Sequence, residues 1–266
     1  MNELSSYVLV AVAAAPTSAL TLYSGFGLGT VLLPLFALFF PIDVAVAATA
    51  VVHGANSLFK VTLVGKSADR RVVLRFGVPA IIAATVGAAA LGYFSEFGEL
   101  ATYSLGPRTA VITPIKLLMG TLMLAFALFE LLPRFRELQF DPKFLPLGGA
   151  LSGFFGGFSG HQGALRAAFL VKTGLSTEAF VGSSAVIGLL VDLTRIGSYG
   201  ILFFAGGNSN PISARQWPLI VSGVFAAFAG LLIGTRFLHR VTMKTVQNIT
   251  GILLLAVAVA LGAGVI

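Results

Sequence analysis

Apolar residues in this chain fall into long unbroken blocks, not into alternation. Blocks at residues 43–64, 75–95, 110–132, 179–205, 217–235 and 246–265 are each long enough to cross about 30 Å of hydrocarbon as a helix, so the pattern predicts six membrane spans. Two further blocks, 7–40 and 145–173, are too long for one span and are interrupted by glycine, as "YSGFGLGT" (Tyr23 to Thr30) and "GGFSGHQG" (Gly156 to Gly163). Each predicts a pair of short helices hinged at its break. A β-barrel would show period-two alternation instead. The first apolar run is preceded only by the charge of Glu3 and lacks the basic segment of a secretory signal, so it reads as a retained helix.

Loop charges orient these elements. "KSADRRVVLR" carries Lys66, Arg70, Arg71 and Arg75, "PRFRELQFDPK" carries Arg134, Arg136 and Lys143, and "TRFLHRVTMK" carries Arg236, Arg240 and Lys244. The positive-inside rule puts these loops in the cytoplasm, and puts "SEFGELATYSLGPR" and "AGGNSNPISAR", with only Arg108 and Arg215 as cations, outside. The spans are consistent with this only if each glycine-broken block begins and ends on one side. The first hairpin then dips in from outside and the second from the cytoplasm, with both chain ends outside.

Such parity predicts two halves of opposite orientation. A shift of 134 residues brings Gly29 onto Gly163, Ala45 onto Ala179, Thr49 onto Ser183 and Gly54 onto Gly188. Beyond them, "VPAIIAATVGAAALG" resembles "WPLIVSGVFAAFAGLLIG", and "KLLMGTLMLA" resembles "QNITGILLLA". The expected architecture is therefore an all-α integral membrane protein with an inverted-topology repeat. Repeat 1 covers 1–133, a cytoplasmic linker 134–144, and repeat 2 145–266, each repeat a broken hairpin plus three transmembrane helices.

Composition agrees with this class: 57% of the 266 residues are hydrophobic and 10% charged, with a mean hydropathy of +0.96. The chain has no cysteine, which excludes disulfides and thiolate metal sites. No ATP-binding P-loop pattern occurs, and no metal or cofactor is expected. The excess of 17 Lys+Arg over 10 Asp+Glu fits basic cytoplasmic loops beside a bilayer, not nucleic acid.

Two stretches, "GFGLGTVLLPLFALFFPIDVAVAATAVVHG" and "LSGFFGGFSGHQGALRAAFLVKTGLSTEAFVGSSAVIGLL", resemble the TauE/SafE permeases, the sulfite exporter family. The resemblance covers nearly the whole chain. It implies a duplicated membrane unit that moves sulfur-containing anions such as sulfite or organosulfonates, mostly outward. The chain departs from the family pattern at Leu28, His161 and Gln162, where the family usually has a run of glycines.

The residues themselves support an anion site. Backbone interrupted at membrane depth must be buried in protein or line a cavity, and helix N-termini at Gly27 to Thr30 and Gly160 to Gly163 would offer N–H groups and positive dipole ends. Gly25, Gly27 and Gly29, with Ser24 and Thr30, would line one break; Gly160, His161, Gln162 and Gly163 would line the other. The bland alternative is helix packing through small residues. Arg166, one turn past the second break, is the best single candidate for an anion ligand, since guanidinium presents a planar fork of donors; otherwise it snorkels to the headgroups or pairs with a carboxylate distant in sequence. Asp192 and Arg195, three apart on one helical face, should pair, either as a structural bridge or as a gate. His53, Asn56 and Ser57 share a face and are pathway candidates; Thr49, Ser183 and Ser184 are candidate hydroxyl donors. Lys60 and Glu130 read as interfacial. A histidine titrating near neutral pH would link transport to protons.

The expected function is a secondary transporter exporting a small sulfur-containing anion by alternating access, linked to the proton-motive force, in the bacterial inner membrane. Its expected partners are the anion, the lipid bilayer and a coupling proton, with homodimerisation open. An importer or channel for another small anion, such as thiosulfate or a carboxylate, is the alternative. A rival from another class comes from "GFSG": Ser159 with His53 or His161 could be cast as an intramembrane serine protease. The repeat argues against it, because Gly25 stands where Ser159 would be required.

Overall fold

The computed structural model describes residues 3–24, 28–106, 108–136, 138–205, 212, 216–237 and 243–266. The helices are α1 Glu3–Ser24, α2 Leu28–Phe36, α3 Ile42–Val64, α4 Arg70–Ser95, α5 Pro114–Leu131, α6 Pro133–Arg136, α7 Leu145–Ser159, α8 Gly163–Leu170, α9 Thr177–Ala205, α10 Trp217–Phe237 and α11 Met243–Gly262. Among the described residues, α3, α4, α5, α9 and α10 are long and apolar enough to cross a membrane. The last predicted span forms α11, whose apolar part Gln247–Gly262 is shorter.

Two span starts move by a full turn or more. α4 begins at Arg70, ahead of the predicted 75, because Asp69 caps it by accepting from the Val72 amide at 2.9 Å. The span expected to start at 110 starts instead at Pro114. Its first residues belong to a hairpin of β1 (Ala101–Leu105) and β2 (Arg108–Ile112), paired antiparallel from Ala101 with Ile112 to Leu105 with Arg108. The helical bundle thus carries one small sheet that the apolar blocks concealed: "TAVI" reads as helix by hydropathy but as strand by its β-branched residues.

Close packing of backbones positions the two broken hairpins. Along α7, Gly149, Gly153 and Gly157 recur every four residues and face α4, where a Cβ would overlap the carbonyl oxygens of Phe76, Ala80 and Ala84. Along α10, Gly230 and Gly234 face Ala15 and Ala19 of α1 in the same manner. The first helix of each hairpin therefore packs on a helix from the other half of the chain. Residue numbers rise together along both pairs, so both are parallel. α10 also runs parallel to α3, with Gly223 by Val52 and Phe228 by Phe59, while α4 follows α3 after the chain reverses through 65–69. It follows that α7 enters from the end of the bundle holding Lys66, Arg70 and Arg71, and α1 from the end holding the β-hairpin. α5 packs on α11, Gly120 against Ala258 and Gly262, and α3 packs on α9 through the centre.

The first break, residues 25–27, lies outside the described residues. α2 that follows it is buried along its whole length, from Leu28 to Phe36. The second break is described: α7 ends at Gly160, whose φ of +81° is the left-handed cap that glycine adopts without strain, and α8 restarts at Gly163.

Candidate functional site

The two hairpins meet in the middle of the bundle. A Cβ at Gly29, in the first turn of α2, would lie 3.2 Å from the Gly160 carbonyl oxygen and 3.4 Å from His53 Cδ2. Here the second break, the start of α2 and the centre of α3 touch.

Helical periodicity brings the polar groups to this point. On α9, Ser184, Gly188, Asp192, Arg195 and Tyr199 form one stripe at spacings of three and four. On α3, His53, Asn56, Ser57 and Lys60 do the same, and all of these residues except Gly188 are classed as buried polar or aromatic side chains. Gly54 lets α3 and α9 approach, because its missing Cβ would sit 3.4 Å from Asp192 Cβ. Gly188 makes room for the guanidinium of Arg166, whose Nη1 a Cβ there would meet at 3.3 Å.

Asp192 is the hub of the cluster, with its side chain fully enclosed. Its Oδ1 accepts from Arg195 Nε at 3.1 Å, Arg195 Nη2 at 2.9 Å and Gln162 Nε2 at 2.9 Å. Its Oδ2 is 2.6 Å from His53 Nδ1 and accepts from Ser57 Oγ at 2.9 Å. A carboxylate buried this deeply is tolerated only when paired and hydrogen-bonded, and five donors meet that demand. These bonds tie α3, α9 and the second break together at one carboxylate.

Gln162 carries the network across the break. It donates to Asp192, its Oε1 accepts from Arg166 Nη1 at 3.0 Å, and its backbone carbonyl accepts from Ser152 Oγ at 2.8 Å. Arg166 Nε donates to Ser184 Oγ at 2.8 Å. Arg166 is only 2% exposed, which overturns the snorkelling alternative. Lys60 is also buried and lies close enough to Arg166 and Asp192 to sense both charges. The interfacial reading of Lys60 is corrected, as is that of Glu130, which is buried beside a cavity under α8. Both were assigned from distance along the span, but the rotation of the helix turns them inward.

Several other expectations change. Thr49 Oγ1 donates to the Ala45 carbonyl of its own helix at 2.8 Å, so its hydroxyl is not a pathway donor; only its methyl reaches toward Gly29. Ser183 Oγ accepts from the Asp69 amide at 2.8 Å and so braces the turn before α4. Its neighbour Ser184, on the next face of α9, is the one that reaches the site. Ser159 Oγ donates to the Phe155 carbonyl at 3.0 Å and His53 is committed to Asp192, so these two form no nucleophile–base pair; His161 Nδ1 lies 3.1 Å from the same hydroxyl, whose proton is directed at Phe155 and not at the ring. Thr30 is buried in α2 and Gly163 opens α8. Gly25 and Gly27 lie outside the described residues, as do Arg215, His239 and Arg240, and the side chain of Ser24 is likewise undescribed.

Sequence reasoning passed over Tyr199, Ser18 and Phe126. Tyr199 donates to the Gly157 carbonyl, one turn from Arg195, and the spacing from Arg195 was the available signal. Ser18 donates to Asn56 Oδ1 at 2.7 Å, tying α1 to α3. Phe126 of α5 stacks on the His161 ring, with centroids 4.7 Å apart. No sequence signal marks these two contacts.

Cavities approach the cluster from both ends. At the β-hairpin end, one of about 380 Å³ is lined by Asp43, Tyr93, Glu96 and Tyr199 among others. At the basic end, one of about 150 Å³ is lined by Glu130, Gln139, Ala164, Ala167 and Gln247 among others. Between them the cluster is enclosed by described residues, with Arg166, Gln162, His161, Asp192 and Arg195 each at most 2% exposed.

Long apolar helices around a charged centre that lipid could not solvate define a multi-pass helical membrane protein. The family model described as Sulfite exporter TauE/SafE matches residues 8–261. The chain belongs to this family of membrane transporters. Neither a curated protein nor a solved structure matches it.

Proposed function

We propose that the protein exports a sulfur oxyanion across the bacterial inner membrane by alternating access, with the substrate held where the two hairpins meet. The observation that carries this reading is the gathering of three buried cations, Lys60, Arg166 and Arg195, near the buried carboxylate Asp192. Arg195 and His53 engage that carboxylate directly, and an anion entering between the hairpins would meet the guanidinium of Arg166 as a further donor. Arg166 is the primary ligand and Gln162 sets its direction. The enclosed centre, with a cavity on either side, supports a carrier rather than an open channel.

Opposed entry of α1 and α7, and their exchange of packing partners between halves, support the inverted repeat with boundaries at 133 and 145. Both termini then lie on the outer side. His53, bonded to Asp192, is the natural place for a proton to enter the cycle.

Proteoliposomes loaded in turn with sulfite, sulfoacetate, taurine, thiosulfate and acetate test the substrate class. Efflux of a sulfur oxyanion that is abolished by Arg166→Ala is expected. Unaltered efflux from that variant would remove Arg166 from the site, and preferential efflux of acetate would favour the carboxylate alternative. Labelling of single cysteines in 66–75 and 98–108 from each side tests topology; both on one side would sink the inverted arrangement.

A further inference from the structure

Two buried side-chain atoms among the described residues have no hydrogen-bond partner, Asn56 Nδ2 and His161 Nε2. Both belong to the elements that meet at Gly29. His161 follows Gly160, whose carbonyl Gly29 touches, and Asn56 lies one turn along α3 from His53, which Gly29 also touches. Their polarities are opposite. Ser18 Oγ donates to Asn56 Oδ1, which fixes the amide so that its N–H groups are the unused donors. His161 Nδ1 lies 3.1 Å from Ser159 Oγ, whose own proton goes to the Phe155 carbonyl. Nδ1 is therefore the N–H, and Nε2 of the neutral ring is a bare lone pair, 1% exposed, held in orientation by the stack on Phe126.

Most anion sites consist of donors alone, and a bare acceptor in one repels an oxyanion. Resting on the proposed anion reading of this site, we propose that it takes its substrate as the monoprotonated oxyanion, whose hydroxyl donates to His161 Nε2. The anion's unprotonated oxygens face donors such as Asn56 Nδ2 and Arg166. No covalent bond changes; one proton travels as part of the substrate. A hydrogen-oxyanion such as hydrogen sulfite fits this pattern. A sulfonate, which has three bare oxygens and no hydroxyl, leaves the acceptor unsatisfied. The buried charged and titratable groups on the elements packed here are Asp192, Arg195 and Tyr199 on α9, His53 and Lys60 on α3, Arg166 on α8, and Glu130, one turn past Phe126 on α5.

The test compares sulfite, which loses its last proton near neutral pH, with methanesulfonate, a monoanion of similar size without a hydroxyl. Affinity of the purified full chain for each is measured by competition below and above that pH. Hydrogen sulfite is expected to bind about tenfold or more tightly than methanesulfonate, and the advantage should vanish as sulfite becomes the dianion. His161→Phe, which keeps the ring stack, should erase the preference, and His161→Gln, which keeps an acceptor oxygen, should retain part of it. Equal binding of both anions, or tighter binding of the sulfite dianion, overturns the inference while leaving the anion site intact. Failure of the wild-type chain to bind either anion overturns both.

Discussion

The helices that follow the two breaks, α2 and α8, differ in chemistry. In the first, α2 is apolar apart from Thr30 and buried from end to end, and its Gly29 serves to let other backbones come close. In the second, the break holds His161 and Gln162, α8 holds Arg166, and through Gln162 the break is wired to Asp192 on α9. The helices leading into them differ too. α7 contributes the glycine stripe against α4, whereas for α1 the glycines sit on its partner α10. On the proposed reading, one hairpin is a packing wedge and the other a recognition surface. Duplicated topology does not require duplicated chemistry: a substrate between two breaks needs one wall to recognise it and another to close behind it.

The largest effect should come from the hub that the second hairpin leans on. Asp192→Ala would leave Arg195 and His53 buried without their carboxylate and is expected to lower stability by about 3–5 kcal/mol, read as loss of the thermal transition in detergent. A stable variant would mean that the cluster is more hydrated than its burial indicates. Next, Arg166→Ala should weaken anion binding by about 1.5–3 kcal/mol, roughly ten- to a hundredfold, with little change in melting temperature. Leu32→Ala in the matching position of the first hairpin should do the reverse, lowering stability by about 2–5 kcal/mol through its cavity while the selectivity pattern in efflux assays stays the same. If Leu32→Ala changes selectivity as strongly as Arg166→Ala, the division of labour between the hairpins fails.

Gly153→Ala should cost about 1–3 kcal/mol, because the added methyl has only the Ala80 backbone to displace. Gly29→Ala should cost less, since 3.2 Å to the Gly160 carbonyl leaves a few tenths of an ångström to recover. Melting curves of the pair rank the two contacts. The smallest effects separate neighbours on α9: Ser184→Ala is expected to weaken anion binding and Ser183→Ala to lower stability, each by about 1 kcal/mol. Thr49→Val should leave transport unchanged, as its hydroxyl is spent on Ala45.

Much of the candidate site is legible in the chain. Asp192, Arg195 and Arg166 stood out because a charge in hydrocarbon needs a reason, and His161 and Gln162 because they interrupt glycines. The face shared by His53, Asn56 and Ser57 followed from helical spacing. Lys60 was misplaced because distance along a helix gives depth, while its rotation about the axis decides burial. Thr49 and Ser183 were misjudged because a hydroxyl in an apolar helix bonds to whichever acceptor or donor is nearest, and sequence does not rank those. The β-hairpin at 101–112 escaped because a short β-branched run reads by hydropathy as the start of the following span.

What the sequence determined was a multi-pass helical bundle, two breaks and an inventory of charges, since insertion into lipid is governed by local hydropathy and by the cost of free backbone groups, both written residue by residue. Only the tertiary structure decided which carboxylate met which cation, and that the second hairpin rather than the first would join the Asp192 network. Those pairings join residues as far apart as His53 and Asp192, and they depend on helix rotation and on glycine contacts that let backbones touch. Neither has a signature in any one segment, because each is a property of two surfaces brought together.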